Sequence, residues 1–240
     1  MRISNDLITK LESRAADIWD TETAHELYVL YSSYFEALTI DTTHIKSMCR
    51  IVREYAATFE ISERKHVFKI VIIALAFGPH FFNDPRYNHM IAQSLGRPST
   101  PADRRMALFT QSAKKIISLR PQDNRFTQVS MQLQNSLKNH ENHENTQDDN
   151  RVVLLTTQLL ATRKDTSFDN PSAFIIPCLK HCNQYELHEY RQRLSYCICA
   201  VTHGFRWFED PLLHVLRELL SDGSQQDLTD NLVRFYERFA

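Results

Sequence analysis

The stretch FGPHFFNDPRY, Phe77 to Tyr87, returns 126 residues later as HGFRWFEDPLL, His203 to Leu213. Each copy writes Gly, two further residues, two aromatics, one more residue and then Asp-Pro. Glycine tolerates a positive φ where a helix ends, an aromatic pair can fold back onto a core, and Asp followed by Pro supplies an N-cap and a residue pre-set for the first helical position. The pattern therefore predicts a helix corner written twice. Its residues, Gly78, Phe82, Asp84 and Pro85 with Gly204, Phe208, Asp210 and Pro211, are expected to be structural, so neither aspartate is needed as a catalytic group.

Around this motif the chain aligns with itself at the same offset. Glu60/Glu186, Ile72/Ile198, Ala74/Ala200, Gly78/Gly204, Phe82/Phe208, Asp84/Asp210 and Pro85/Pro211 are identical, and Phe59/Tyr185, Ile61/Leu187, Lys65/Arg191 and Phe81/Trp207 are conservative. Further out, Leu7/Leu133, Leu11/Leu137 and Phe109/Phe235 stay in register without a gap. A repeat of half the chain is too long for a solenoid unit. It predicts an all-α protein of two pseudo-duplicated multi-helix domains, residues 1–119 and 126–240.

Composition agrees with helices. The 240 residues include only 4 Gly and 8 Pro, 42% are hydrophobic and 24% charged, and no segment alternates with the period of a strand. In the first half, caps and breakers place helices near 4–18, 23–38, 42–58, 62–77, 85–95 and 101–119. Asp41 and Thr100 are expected N-caps, Pro101 an N1 residue, and Gly96 a left-handed C-cap. The polar run HENHENTQDDN, His140 to Asn150, reads as a solvated loop standing where the first half has the end of its first helix.

A net charge of −1 gives no global attraction to nucleic acid. The opening MRISNDLITKLESRAAD lacks an apolar signal core, and the most apolar run, VFKIVIIALAF, carries Lys69 and is too short to span a bilayer, so a cytoplasmic protein without membrane contact is expected. Five cysteines, an odd number, suit reduced thiols.

Candidate chemistry is sparse. Cys178, His181, Cys182 and His188 have spacing that can hold zinc, but the two cysteines match Val52 and Ala56, while Cys197 and Cys199 match Val71 and Ile73. Cysteine at apolar positions predicts core packing, so no metal and no cofactor is expected. His140 and His143 alone do not complete a metal site. Glu60 and Glu186 each predict a hydrogen bond near the start of the following helix, where Ser62 and Glu63 are further cap candidates. Arg97, Arg104, Arg105, Lys114 and Lys115 make a basic sixth helix, whose counterpart carries Asp227 and Asp230, so a solvated face is expected rather than a phosphate track. Tyr28, Tyr31 and Phe35, beside Tyr34, form a stripe that suits a core face or a partner helix. No HExxH, GxSxG, CxxC or Gly-rich phosphate loop occurs, and no catalytic residue is assigned.

The stretch FEISERKHVFKIVIIALAFGPHFFNDPRY, Phe59 to Tyr87, and the opening MRISNDLITKLESRAADIW resemble an all-helical bacterial domain family encoded beside type VI secretion spike, adaptor and effector genes. The likeness covers about the first 115 residues, and Asn88 and His89 stand where members of that family commonly have Pro-Trp. It implies a helper role through a protein partner encoded nearby: an adaptor or chaperone for an effector or spike component, or alternatively an immunity protein neutralising a toxin. An enzyme of unknown class is the remaining reading.

Overall fold

The computed structural model describes residues 5–119, 131–132, 134–135, 149–163, 170–222 and 228–237. It is all-helical, with no strand among the described residues. The first half holds α1 (Asn5–Leu30), α2 (Ser32–Ala37), α3 (Thr42–Thr58), α4 (Arg64–Phe77), α5 (Asn88–Gln93) and α6 (Ala102–Leu119). The second holds α7 (Asp149–Thr162), α8 (Ser172–Gln184), α9 (Tyr190–His203), α10 (His214–Asp222) and α11 (Leu228–Glu237). No helix among the described residues is long and apolar enough to cross a membrane.

Over residues 4–38 the break expected after residue 18 is absent, and α1 runs on to Leu30. Trp19, Asp20, Thr23, Ala24 and Leu27 are buried on one stripe that runs through the supposed break, and α1 lays that stripe along α3. The buried Asp20 is held by Arg53 of α3, with Nε and Nη2 donating at 2.9 and 2.8 Å. The real break comes at Tyr31, which is exposed while Phe35 is fully buried and Tyr28 stacks on it at 6.2 Å. Asp41 caps α3, accepting from the N–H groups of Thr43 and His44. The stripe Ile45, Met48, Cys49, Val52 and Ala56 then turns α3 toward the core.

Element boundaries recur at the spacing of the sequence motif. The helices α4 and α9 have 14 residues each and start at Arg64 and Tyr190, and α6 and α11 start at Ala102 and Leu228. Short 3-10 turns at Phe81–Asn83 and Pro85–Tyr87 are matched at Trp207–Glu209 and Pro211–Leu213. Glu60 and Glu186, each just beyond the end of a helix, have φ of 56° and 58°. These two identical residues thus occupy a left-handed turn, which is costly for a residue other than glycine, and their side chains are exposed rather than bonded to the next helix. Glu63 precedes α4 without a side-chain cap bond.

Two local expectations differ from the structure. Gly96 does not adopt a positive φ; its N–H reaches back to the Ile91 carbonyl at 2.9 Å, closing the end of α5 without a left-handed residue. The region 85–95 is a 3-10 turn followed by six residues of α5, because the Asp-Pro corner takes up its first residues. Of the polar run 140–150, only Asp149 and Asn150 are described, and they begin α7.

The halves share one apolar cluster. In it α3 packs on the Pro211–Leu213 turn, and α8 packs on the Pro85–Tyr87 turn. Each Asp-Pro corner thereby lies against a helix of the opposite half.

Candidate functional site

The two corners meet at a seam. Gly78 ends α4 with φ 84° and ψ 153°, and Gly204 ends α9 with φ 119° and ψ 150°, a region open in practice to glycine alone. Close approach makes the same demand. A Cβ on Gly78 would stand 2.8 Å from the His203 carbonyl oxygen, and one on Gly204 would stand 3.3 Å from that of Phe77. Each glycine therefore lets the end of the other half's long helix come near.

Beyond the glycines the aromatic pairs turn inward. Phe81 stacks on Phe82 at 4.1 Å, and Trp207 meets Phe208 edge-on at 5.4 Å while its indole N–H donates to the Tyr196 carbonyl. The Asp84 carboxylate accepts from the Arg86 N–H at 3.0 Å, and that of Asp210 accepts from the Leu212 N–H at 2.9 Å, with Pro85 and Pro211 opening the turns.

Asp84 does more than cap. Arg86, with a side chain 1% exposed, grips the carboxylate through Nε at 2.9 Å and Nη2 at 2.6 Å. Its Nη1 donates across the seam to the Val201 carbonyl at 2.6 Å, and the Phe205 N–H donates back to Asp84 at 3.3 Å. The guanidinium also lies over the Phe174 ring at 4.9 Å. Sequence reasoning missed Arg86 because its counterpart, Leu212, is apolar, and the comparison of halves rewards sameness.

At the outer edge of the seam lies a polar cluster of three matched pairs of positions: Tyr55 and His181, His80 and Arg206, Asn83 and Glu209. The Tyr55 phenol oxygen accepts from Asn83 at 2.6 Å and from Arg206 Nη1 at 3.2 Å, with His80 Nδ1 3.5 Å away. Glu209 is paired by Arg206 through Nε at 3.0 Å and through Nη2, and it accepts from the Tyr185 hydroxyl at 3.1 Å. Burial, reinforced by the Arg206 charge, pulls the His80 imidazole down to about 4. Burial works to raise the Glu209 pKa, but the bond and charge of Arg206 prevail and hold it below the ordinary value. Burial and then Glu209 push the Tyr185 phenol up to about 12.

These groups bring together a neutral imidazole, a carboxylate and two phenols; the carboxylate and both phenols are hydrogen-bonded, whereas His80 Nε2 is buried without a hydrogen-bond partner among the described residues. The space between the corners, lined by Gly78, His80, Gly204 and Trp207 among others, measures about 10 Å³, room for about one water. The arrangement joins the two halves.

The remaining sequence candidates are dispersed. Cys178 and Cys182 face one way on α8, as their spacing predicts, and meet Cys197 of α9, all three fully buried. Hydrogen bonding to Cys197 and burial raise the Cys182 thiol, and burial pushes Cys49 and Cys199 up to about 12. His181 turns instead to the Tyr196 hydroxyl at 3.1 Å, and His188 is exposed. Among the described residues no group of three or more His, Cys, Asp or Glu is placed to hold a metal ion. His140 and His143 lie outside the described residues. Arg105 leaves the basic face of α6, being 4% exposed with Nη1 bonded to the Phe59 and Leu95 carbonyls, whereas Arg104, Lys114 and Lys115 stay exposed. In the second half Asp230 is exposed on α11, and Asp227 is not among the described residues.

Compared with protein-family models, curated proteins and solved structures, the chain matches none.

Proposed function

We propose that the protein works by holding a protein partner, as an adaptor or chaperone for a type VI secretion effector or spike component. The observation that supports partner binding is the first half of α1. Leu7, Ile8, Leu11 and Ile18 are 48%, 41%, 58% and 46% exposed, on a segment whose Asp6, Lys10, Glu12, Arg14 and Asp17 are exposed as well. An amphipathic helix face left open to water at several large aliphatic residues is a surface suited to another protein. The kind of partner rests on the family resemblance of the Phe59–Tyr87 stretch and the opening residues.

Co-expression with each neighbouring gene product tests the reading. One of them is expected to co-elute as a stable complex, and Leu11→Glu to abolish it while leaving the melting temperature unchanged. Loss of secretion in a deletion strain supports an adaptor, whereas self-intoxication rescued by inactivating a toxin supports immunity. Failure of every neighbour to bind, together with turnover of a substrate by the purified protein, overturns the proposal.

A further inference from the structure

An open groove of about 360 Å³ runs between α4 and α6, away from the seam residues. Along α6 it is lined by Asp103, Met106, Thr110 and Lys114, which share one face for roughly 16 Å of helix at 1.5 Å per residue. From α4 come His66 and Lys69. Met106 is 2% exposed and gives the groove an apolar floor.

Charge along the groove is uneven. Asp103 is already engaged, by Lys65 at 3.2 Å and by His66 Nε2 at 2.9 Å. Lys69 and Lys114 are exposed and have no ion-pair partner among the described residues. His66 is 2% exposed, and its Nδ1 has no hydrogen-bond partner, the nearest carboxylate oxygen being that of Glu63 at 4.0 Å. The groove therefore combines an apolar floor with two exposed lysines that have no ion-pair partner among the described residues. At the matching positions of the second half stand Ser195, which is buried, and Ala240, so the pair of cations belongs to the first half alone.

We propose that this groove docks an acidic amphipathic peptide segment of a protein partner, with apolar side chains on Met106 and carboxylates on Lys69 and Lys114. The proposal rests on the partner-binding reading and names the chemistry of one contact. Two lysines interrupted by a carboxylate suit spaced acidic side chains better than a continuous phosphate backbone, which calls for a longer cationic track.

The test uses the full chain and a fluorescein-labelled peptide of about 14 residues in a Glu-Glu-Leu-Leu repeat, roughly 20 Å long as a helix, with its Lys-for-Glu counterpart as control. Fluorescence anisotropy is expected to show binding of the acidic peptide and not of the basic one. The double variant Lys69→Glu, Lys114→Glu should weaken it roughly tenfold or more, since reversed charges repel where the originals attracted. Ala107→Trp, at an exposed position lining the groove, should block it sterically. Arg104→Glu with Lys115→Glu reverses two exposed charges of the same helix that do not line the groove, and should change affinity by less than about twofold. Equal weakening by this control pair, no binding of the acidic peptide, or preference for a single-stranded oligonucleotide overturns the proposal. A neighbouring gene product that still co-elutes with the Lys69→Glu, Lys114→Glu variant would sink the groove alone and leave partner binding standing.

Discussion

Replacing Asp84 by alanine should cost far more than an ordinary helix cap. A lost N-cap is worth about 0.5–2 kcal/mol. Here the same carboxylate is the counter-ion of Arg86, whose side chain is 1% exposed, and it also accepts the Phe205 N–H from the opposite half. Removing one partner of a buried ion pair leaves an uncompensated charge, at about 3–5 kcal/mol. The second effect is the larger and sets the expected loss. For a chain of this size it corresponds to a fall in melting temperature of about 6–20 °C, measured by circular dichroism or calorimetry. Its cause is separable from the cap. Arg86→Leu writes into the first corner the residue that the second corner carries at Leu212, so the double variant Asp84→Ala, Arg86→Leu should be more stable than Asp84→Ala alone. A loss below about 1 kcal/mol for Asp84→Ala, or strict additivity in the double variant, would refute the buried-charge reasoning.

Gly78→Ala and Gly204→Ala should each destabilise by roughly 1–3 kcal/mol, with Gly78→Ala the worse because its Cβ meets the His203 carbonyl at 2.8 Å; equal or improved melting temperatures would contradict this. Acid should weaken the fold between the ordinary histidine pKa of 6.5 and about 4, because His80 stays neutral when folded while the unfolded chain takes up a proton; His181 and His214, also lowered by burial, act in the same direction. The slope of stability against pH in that window should flatten in His80→Gln, and an unchanged slope would remove His80 as a contributor. All five cysteines are buried, so a thiol reagent at mildly alkaline pH should label the native protein only as fast as it unfolds; a thiol modified in native buffer within mixing time would contradict their packing.

Local chemistry wrote much of this molecule legibly. The helix over 42–58 with its Asp41 cap, the glycines that end α4 and α9, and the Asp-Pro turns follow from side-chain periodicity and backbone preferences within a few residues, so the sequence alone was enough to place them. The all-helical class follows from the same signals. Where local cues were balanced, packing decided. Residues 19–22 look breakable in isolation, but α1 runs through them because the buried stripe of Trp19, Asp20, Thr23 and Ala24 lies along α3, and Gly96 needs no positive φ because the Ile91 carbonyl accepts its N–H. Only the tertiary structure revealed that the two corners face each other, that Arg86 spends its charge on Asp84 and the far Val201 carbonyl, and that Arg206 reaches Tyr55. Apart from the Arg86–Asp84 pair, whose partners are two positions apart, those contacts join residues more than a hundred positions apart. Their energy comes from burial and from hydrogen bonds whose partners meet only once both halves have folded, and no periodicity along the chain encodes that meeting.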